Sequence, residues 1–261
     1  MKLKLPRFGL SEEAMLFDSP LYIIKGFVSV FTAYALFSQH PLIGKDMISV
    51  LFGMMMTLEP VNVSGIKSGL SQIKASVLGG LVTAIIVSLL GVNLFTIALS
   101  VALTMYIALM MNWRFVSPVA IFTAIYMTQY IQLDALGDPS MWLTFRLRMV
   151  ALATGIVIAL FYNYVFSLFF YKSMVKKRLV YIVEALSSLV EAFETEATSV
   201  LKQRAYSLIT DIDTISHQMG DMQKEKRGNP TIAQYAESVS QMRDLTHQFL
   251  DMVMEKQRLN Q

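Results

Sequence analysis

The sequence predicts an all-α membrane protein: a polytopic bundle of about six transmembrane helices, with a possible three-plus-three inverted repeat, followed by a cytoplasmic helical hairpin or coiled coil. Three observations carry that prediction. Hydrophobic residues make up 54% of the 261 and charged residues only 16%, where a soluble domain carries about 25% charged residues. Apolar runs follow one another between residues 21 and 170 with almost no charge inside them. Beyond Phe170 the pattern becomes amphipathic with heptad spacing. The resulting boundaries are a leader over 1–20, a transmembrane domain over 21–171 and a cytoplasmic hairpin domain over 172–261.

The leader mixes Lys2, Lys4 and Arg7 with Glu12, Glu13 and Asp18, and no small-x-small cleavage site follows its first apolar run, so it does not read as a secretory signal peptide. Phe8, Leu10, Met15, Leu16 and Phe17 form either an amphipathic turn on the lipid interface, capped by Ser11, or part of a frayed polar leader.

A helix needs about 20 residues to cross the hydrocarbon layer. Five runs approach that length: Leu21–Ser38, Ala75–Val92, Leu94–Met111, Phe115–Ile131 and Met149–Phe170. A sixth, Gly44–Glu59, is shorter and opens on Lys45 and Asp46; its alternative is a re-entrant segment. Between Ala75 and Ile131 the chain must fold back twice, and Gly91-Val92-Asn93 and Asn112-Trp113-Arg114 are the polar punctuation available.

Six spans place both termini on one side. Lys2, Lys4, Arg7, Lys67, Lys74, Arg114, Lys172, Lys176, Lys177 and Arg178 then share a face, and Lys45, Arg146 and Arg148 lie opposite. The positive-inside rule makes the first face cytoplasmic. Up to Phe170 there are ten basic residues against seven acidic ones, and after it twelve against twelve, so all of the net +3 lies in the apolar part. The basic isoelectric point therefore reflects topology, and no nucleic-acid partner is expected.

After Phe170, Leu179, Val183, Leu186, Val190, Phe193, Ala197 and Val200 recur at steps of four and three. The seam resumes after a phase shift through Leu201, Leu208, Ile212, Ile215, Met219 and Met222, and stops at Gly228-Asn229-Pro230. A second seam runs from Ile232 to Val253. Two helices of unequal length joined at that turn make a hairpin. The shorter covers only part of the longer, so the stripe from Leu179 to Val190 is expected to meet a second copy of the chain, most simply in a dimer.

No catalytic set presents itself. Cysteine is absent, and His40, His217 and His247 have no zinc-binding spacing. There is no phosphate-binding GxxxxGK[ST] loop. The expectation is a non-enzyme without cofactor or metal. Ionisable residues in or bordering the spans are the informative ones, because a charge in hydrocarbon is expensive unless paired or hydrated. Lys25, Lys74, Arg146 and Arg148 are candidate anion-binding residues. Glu59, beside Pro60 at the end of the second run, is the candidate proton carrier, since a broken helix end frees carbonyls next to a carboxylate. The 16 Phe, 11 Tyr and 18 Met are packing, or line an apolar cavity able to stack a planar molecule.

Lys74-Ala-Ser-Val-Leu-Gly79-Gly80-Leu-Val-Thr-Ala84 and Arg148-Met-Val-Ala-Leu-Ala-Thr-Gly155-Ile-Val-Ile-Ala159 echo each other: a basic residue, then glycine, then a small residue. Gly79, Gly80 and Gly155 are candidate helix-packing positions. The segment from Pro60 through Lys74 to Gly80 resembles the second-to-third-helix segment of the fusaric-acid-resistance, or aromatic acid exporter, superfamily, in which a Pro precedes a basic residue and a glycine-bearing helix start. The resemblance covers roughly Leu21 to Phe170, and the following hairpin is similar to that of short, single-half members from Gram-positive bacteria. It implies a secondary, proton-coupled exporter of aromatic carboxylates or related small organic anions in the bacterial cell membrane. The rival expectation is a membrane-anchored scaffold or sensor whose arm docks a partner.

Overall fold

A computed structural model describes residues 19–59, 61–111, 117–134, 136–226 and 229–259. The leader's amphipathic turn, Pro60, the Asn112-Trp113-Arg114 turn and Gly228 lie outside the described residues. The chain is nearly all helix. Helix α1 is Ser19–Phe37. A 3-10 turn, Ile43–Asp46, leads into α2, Met47–Met55.

The expected single helix Gly44–Glu59 is thus much shorter. Asp46 caps it, its Oδ1 accepting the Ser49 N–H at 3.1 Å, and the main chain leaves the helix after Met55. Nine residues give a rod about 14 Å long, half the hydrocarbon thickness of about 30 Å.

Helix α3, Asn62–Leu90, starts well before the predicted Ala75, because hydropathy marks the apolar part of a helix and not its beginning. It ends at Gly91, whose φ of +72° is the left-handed cap and whose N–H donates to Val87 O at 2.9 Å. Asn93 and Thr96 then form a reciprocal capping box that opens α4, Leu94–Met110. Helix α5 is Ser117–Gln129. A two-residue antiparallel ladder, Gln132–Leu133 with Pro139–Ser140, makes a small β-turn unit that the periodicity does not predict.

The predicted run Met149–Phe170 is the middle of a 51-residue helix α6, Met141–Glu191. It is followed by α7, Thr198–Glu225, and α8, Pro230–Leu259. The first amphipathic seam is therefore not one long helix. It breaks between Glu191 and Thr198, ahead of the phase shift between Val200 and Leu201, and the expected two-helix hairpin is three helical segments.

The chain divides into two compact units. One takes in Ile24–Pro60 and Gly65–Asn163, the other Val61–Ser64 and the chain from Tyr164 onward. In the second unit Val175, Ile182 and Leu189 of α6, at seven-residue spacing, pack with Leu208, Ile215 and Phe249 of α7 and α8. Of the expected seam, Leu179, Leu186 and Phe193 pack against this core, whereas Val183 and Val190 are 46% and 56% exposed and their places are taken by Ile182 and Leu189. Asp213 pairs with Arg243 at 2.9 Å, joining α7 to α8. Glu225 closes α7 by accepting the Asn62 N–H at 3.0 Å and the Ser167 hydroxyl at 2.7 Å.

The first unit has the reverse of a soluble protein's distribution. Phe27, Phe31, Leu89 and Leu94 are exposed, while Ser29, Ser49, Ser76, Thr83 and Thr123 are fully buried. Hydrocarbon outside and hydrogen-bonding residues between helices are what lipid solvation requires. Asn62–Leu90 and Met141–Phe170 are long and apolar enough to cross a membrane.

Candidate functional site

Glycines set the closest approaches in the first unit. A Cβ on Gly155 would lie 1.9 Å from Val50 O, and one on Gly53 2.6 Å from Leu152 O, so α2 and α6 touch backbone to backbone. A Cβ on Gly79 would lie 2.1 Å from Ala120 O of α5, and one on Gly80 2.7 Å from the Phe145 ring. Helices this close leave little room, so the polar side chains placed there must satisfy one another.

Most of them do so in two clusters, Arg148 Nε, Gln72 Oε1 and Thr83 Oγ1 being left without a hydrogen-bond partner among the described residues. The first surrounds Arg148, which is fully buried. Its Nη1 donates to Ser49 Oγ at 2.8 Å and its Nη2 to Thr123 Oγ1 at 3.3 Å. Ser49 Oγ donates in turn to Asp46 Oδ2 at 2.6 Å, and Tyr126 OH donates to Asp46 Oδ1 at 2.8 Å. Asp46 thus supplies the negative charge that faces the guanidinium. The guanidinium carbon sits 4.2 Å from the Tyr126 ring centroid, within cation–π range. That ring belongs to a ladder: Phe52 on Phe122 at 4.8 Å, Phe122 on Tyr126 at 6.1 Å and Tyr126 on Tyr130 at 4.7 Å, all stacked. The four-residue spacing of Phe122, Tyr126 and Tyr130 aligns them along one helical face.

The second cluster closes the gap where the chain unwinds after α2. Lys25 Nζ donates to the Glu59 carbonyl oxygen at 2.5 Å and to Asn163 Oδ1 at 3.0 Å. Asn163 Oδ1 also accepts the Glu59 N–H at 3.1 Å, and its Nδ2 donates to Thr57 O at 2.9 Å. Gln72 Nε2 donates to Thr57 Oγ1 at 3.1 Å. These side chains replace the helical partners that the unwound backbone lacks. Lys25 also feels the charge of the half-buried Glu59 carboxylate. Gly65 leaves the space for Asn163, since a Cβ there would lie 2.4 Å from its Nδ2.

Of the candidate residues, Lys25 and Glu59 come together in the second cluster, and Arg148 centres the first. Arg146 is exposed on another face of α6, and Lys74 is exposed on α3, so the four basic residues do not form one site. Arg148 and Asn163 are fifteen residues apart on α6, which places them on nearly the same face and about 22 Å apart along it. Nothing in the local pattern marks Asn163, Asp46 or Tyr126 as partners, although an Asn within an apolar run is itself a signal for an interhelical bond. Gly65 and Gly69, four apart on α3, are a small-residue stripe that the sequence does display.

Residues 23–166 match the family model described as aromatic acid exporter family member 1, over half of the chain. No curated protein and no solved structure matches the chain.

Proposed function

The chain belongs to the aromatic acid exporter family, a membrane transporter family, and from that premise we propose that it is a secondary, proton-coupled exporter of aromatic carboxylates or related small organic anions. The observation that carries the substrate class is the first cluster: a buried guanidinium laid against a ladder of four stacked rings. A carboxylate is matched by the guanidinium fork and a planar ring by the aromatic faces. Asp46 holds Arg148 when no anion is there, and an incoming carboxylate competes with it.

Glu59 is the proton carrier in this proposal, with Lys25 as its counter-charge. Protonating the carboxylate removes the negative charge that faces the ammonium, and an ionisable group exchanged beside an unwound segment is a general device of gradient-driven carriers. Lys74 and Arg146, being exposed, attract anions to the membrane surface and do not bind them inside. The chain crosses the membrane six times as two inverted repeats of three crossings, the second crossing being made by the 3-10 turn, α2 and the unwound residues to Glu59 together, with both termini and residues 172–261 cytoplasmic, and it works as a homo-oligomer, most simply a dimer.

The test is growth of cells lacking or overproducing the protein on hydroxybenzoates and related weak acids, with Arg148→Met and Glu59→Gln beside the wild type. Resistance should rise with the wild type and with neither variant, at equal protein abundance. Glu59→Gln should abolish gradient-dependent efflux, and unchanged efflux at every pH removes Glu59 from the mechanism.

A further inference from the structure

We propose that the outer face of α3 carries a lipid site, in which one acyl chain of an anionic phospholipid lies in an apolar groove and its phosphate meets Lys74. The groove has a volume of about 400 Å³ and is open along one side. Its wall is the row Ile73, Val77, Leu81 and Ile85, four residues apart and so aligned along the helix, with Met111 from the end of α4. Lys74 begins the neighbouring row and is the one charged side chain in the lining among the described residues.

Length and volume both match an acyl chain. From Lys74 to Ile85 the helix rises about 16 Å. A methylene fills about as much space as a water molecule, roughly 30 Å³, so the groove holds on the order of 13 of them. The position of Lys74 matches a headgroup: from Ala75 to Leu90 α3 has no charged residue, while Lys67 and Lys74 stand on its N-terminal side, the interfacial end. Lys74 is exposed, and a four-carbon stem lets its ammonium reach headgroup depth. A zwitterionic lipid offers the same chain but no net charge, so the ammonium selects the anionic one.

The experiment is native mass spectrometry of the full-length protein in detergent, titrated with phosphatidylglycerol and, separately, with phosphatidylcholine. Phosphatidylglycerol should be retained preferentially. Lys74→Gln should cut its retention about fivefold, the factor one lysine near an anionic surface contributes, with Lys74→Arg restoring it. Leu81→Trp, which fills the groove, should displace both lipids. Equal retention of the two lipids by the wild type, or phosphatidylglycerol retention unaffected by Lys74→Gln and Leu81→Trp, overturns the assignment. So does displacement of the lipid by benzoate, which makes the groove a path for the exported acid instead.

Discussion

Asn163→Leu is the most informative single change, because three groups depend on one side chain. The substitution keeps approximate volume and removes two acceptor contacts, from Lys25 and from the Glu59 N–H, and one donor contact, to Thr57 O. Interhelical hydrogen bonds within membranes average about 0.6 kcal/mol, which gives roughly 2 kcal/mol for the three together. A bond to a charged partner is worth about 1.5–3 kcal/mol, and counting the Lys25 contact at that value raises the sum to about 3–4 kcal/mol. For a chain of this size each kcal/mol moves the midpoint by about 2–4 °C, so the melting temperature should fall by about 5–15 °C. The assay is the fraction of protein that stays monodisperse in detergent after heating. Thr154→Val is the control: its hydroxyl donates only to Val150 O of its own helix, and its shift should be small. If Asn163→Leu melts within a degree of that control, the cluster does not hold the unwound segment.

Gly155→Ala should lower the yield of folded protein sharply, since Val50 O and Met54 N are backbone atoms that cannot swing aside, whereas Gly26→Ala meets nothing within 4 Å and should be neutral or slightly stabilising; comparable yields for the two would refute the close α2–α6 contact. Reporter fusions after Gln39, Asn93 and Gly137 should lie outside and those after Gly69 and Lys177 inside, and a cytoplasmic signal at Asn93 rules out six crossings. Val183→Glu with Val190→Glu, at two exposed positions of α6, should lower the mass of the solubilised particle without preventing insertion, while a wild-type particle already monomeric by native mass ends the dimer proposal.

How much was legible depended on the length over which each signal is averaged. The apolar runs and their turns follow from composition summed over many residues, and Gly91 and Asn93 are strong local signals, so α1, the end of α3 and the start of α4 fall close to expectation. Helix starts such as Asn62 are invisible to hydropathy because the first turns of α3 are polar. The α6–α7 break between Glu191 and Thr198 is hidden because the steps of four and three run on through Phe193, Ala197 and Val200, and the phase shift comes only after it, at Leu201. The candidate site was half legible: Lys25, Glu59 and Arg148 stand out because a charge in an apolar run is costly. Their partners do not, because Asp46 with Tyr126 and Lys25 with Asn163 meet across eighty and more residues of chain.

Helix α2 is short and tied at both ends. Asp46 and Ser49 at its start belong to the Arg148 cluster, and Thr57 and Glu59 just past its end belong to the Lys25 cluster. Between them it lies backbone to backbone on α6. Two sites that share one helix obey reciprocity: whatever an anion at Arg148 does to the free energy of protonating Glu59, a proton at Glu59 does equally to the affinity for the anion. Measuring either influence therefore measures both, even when only one of the two ligands can be followed.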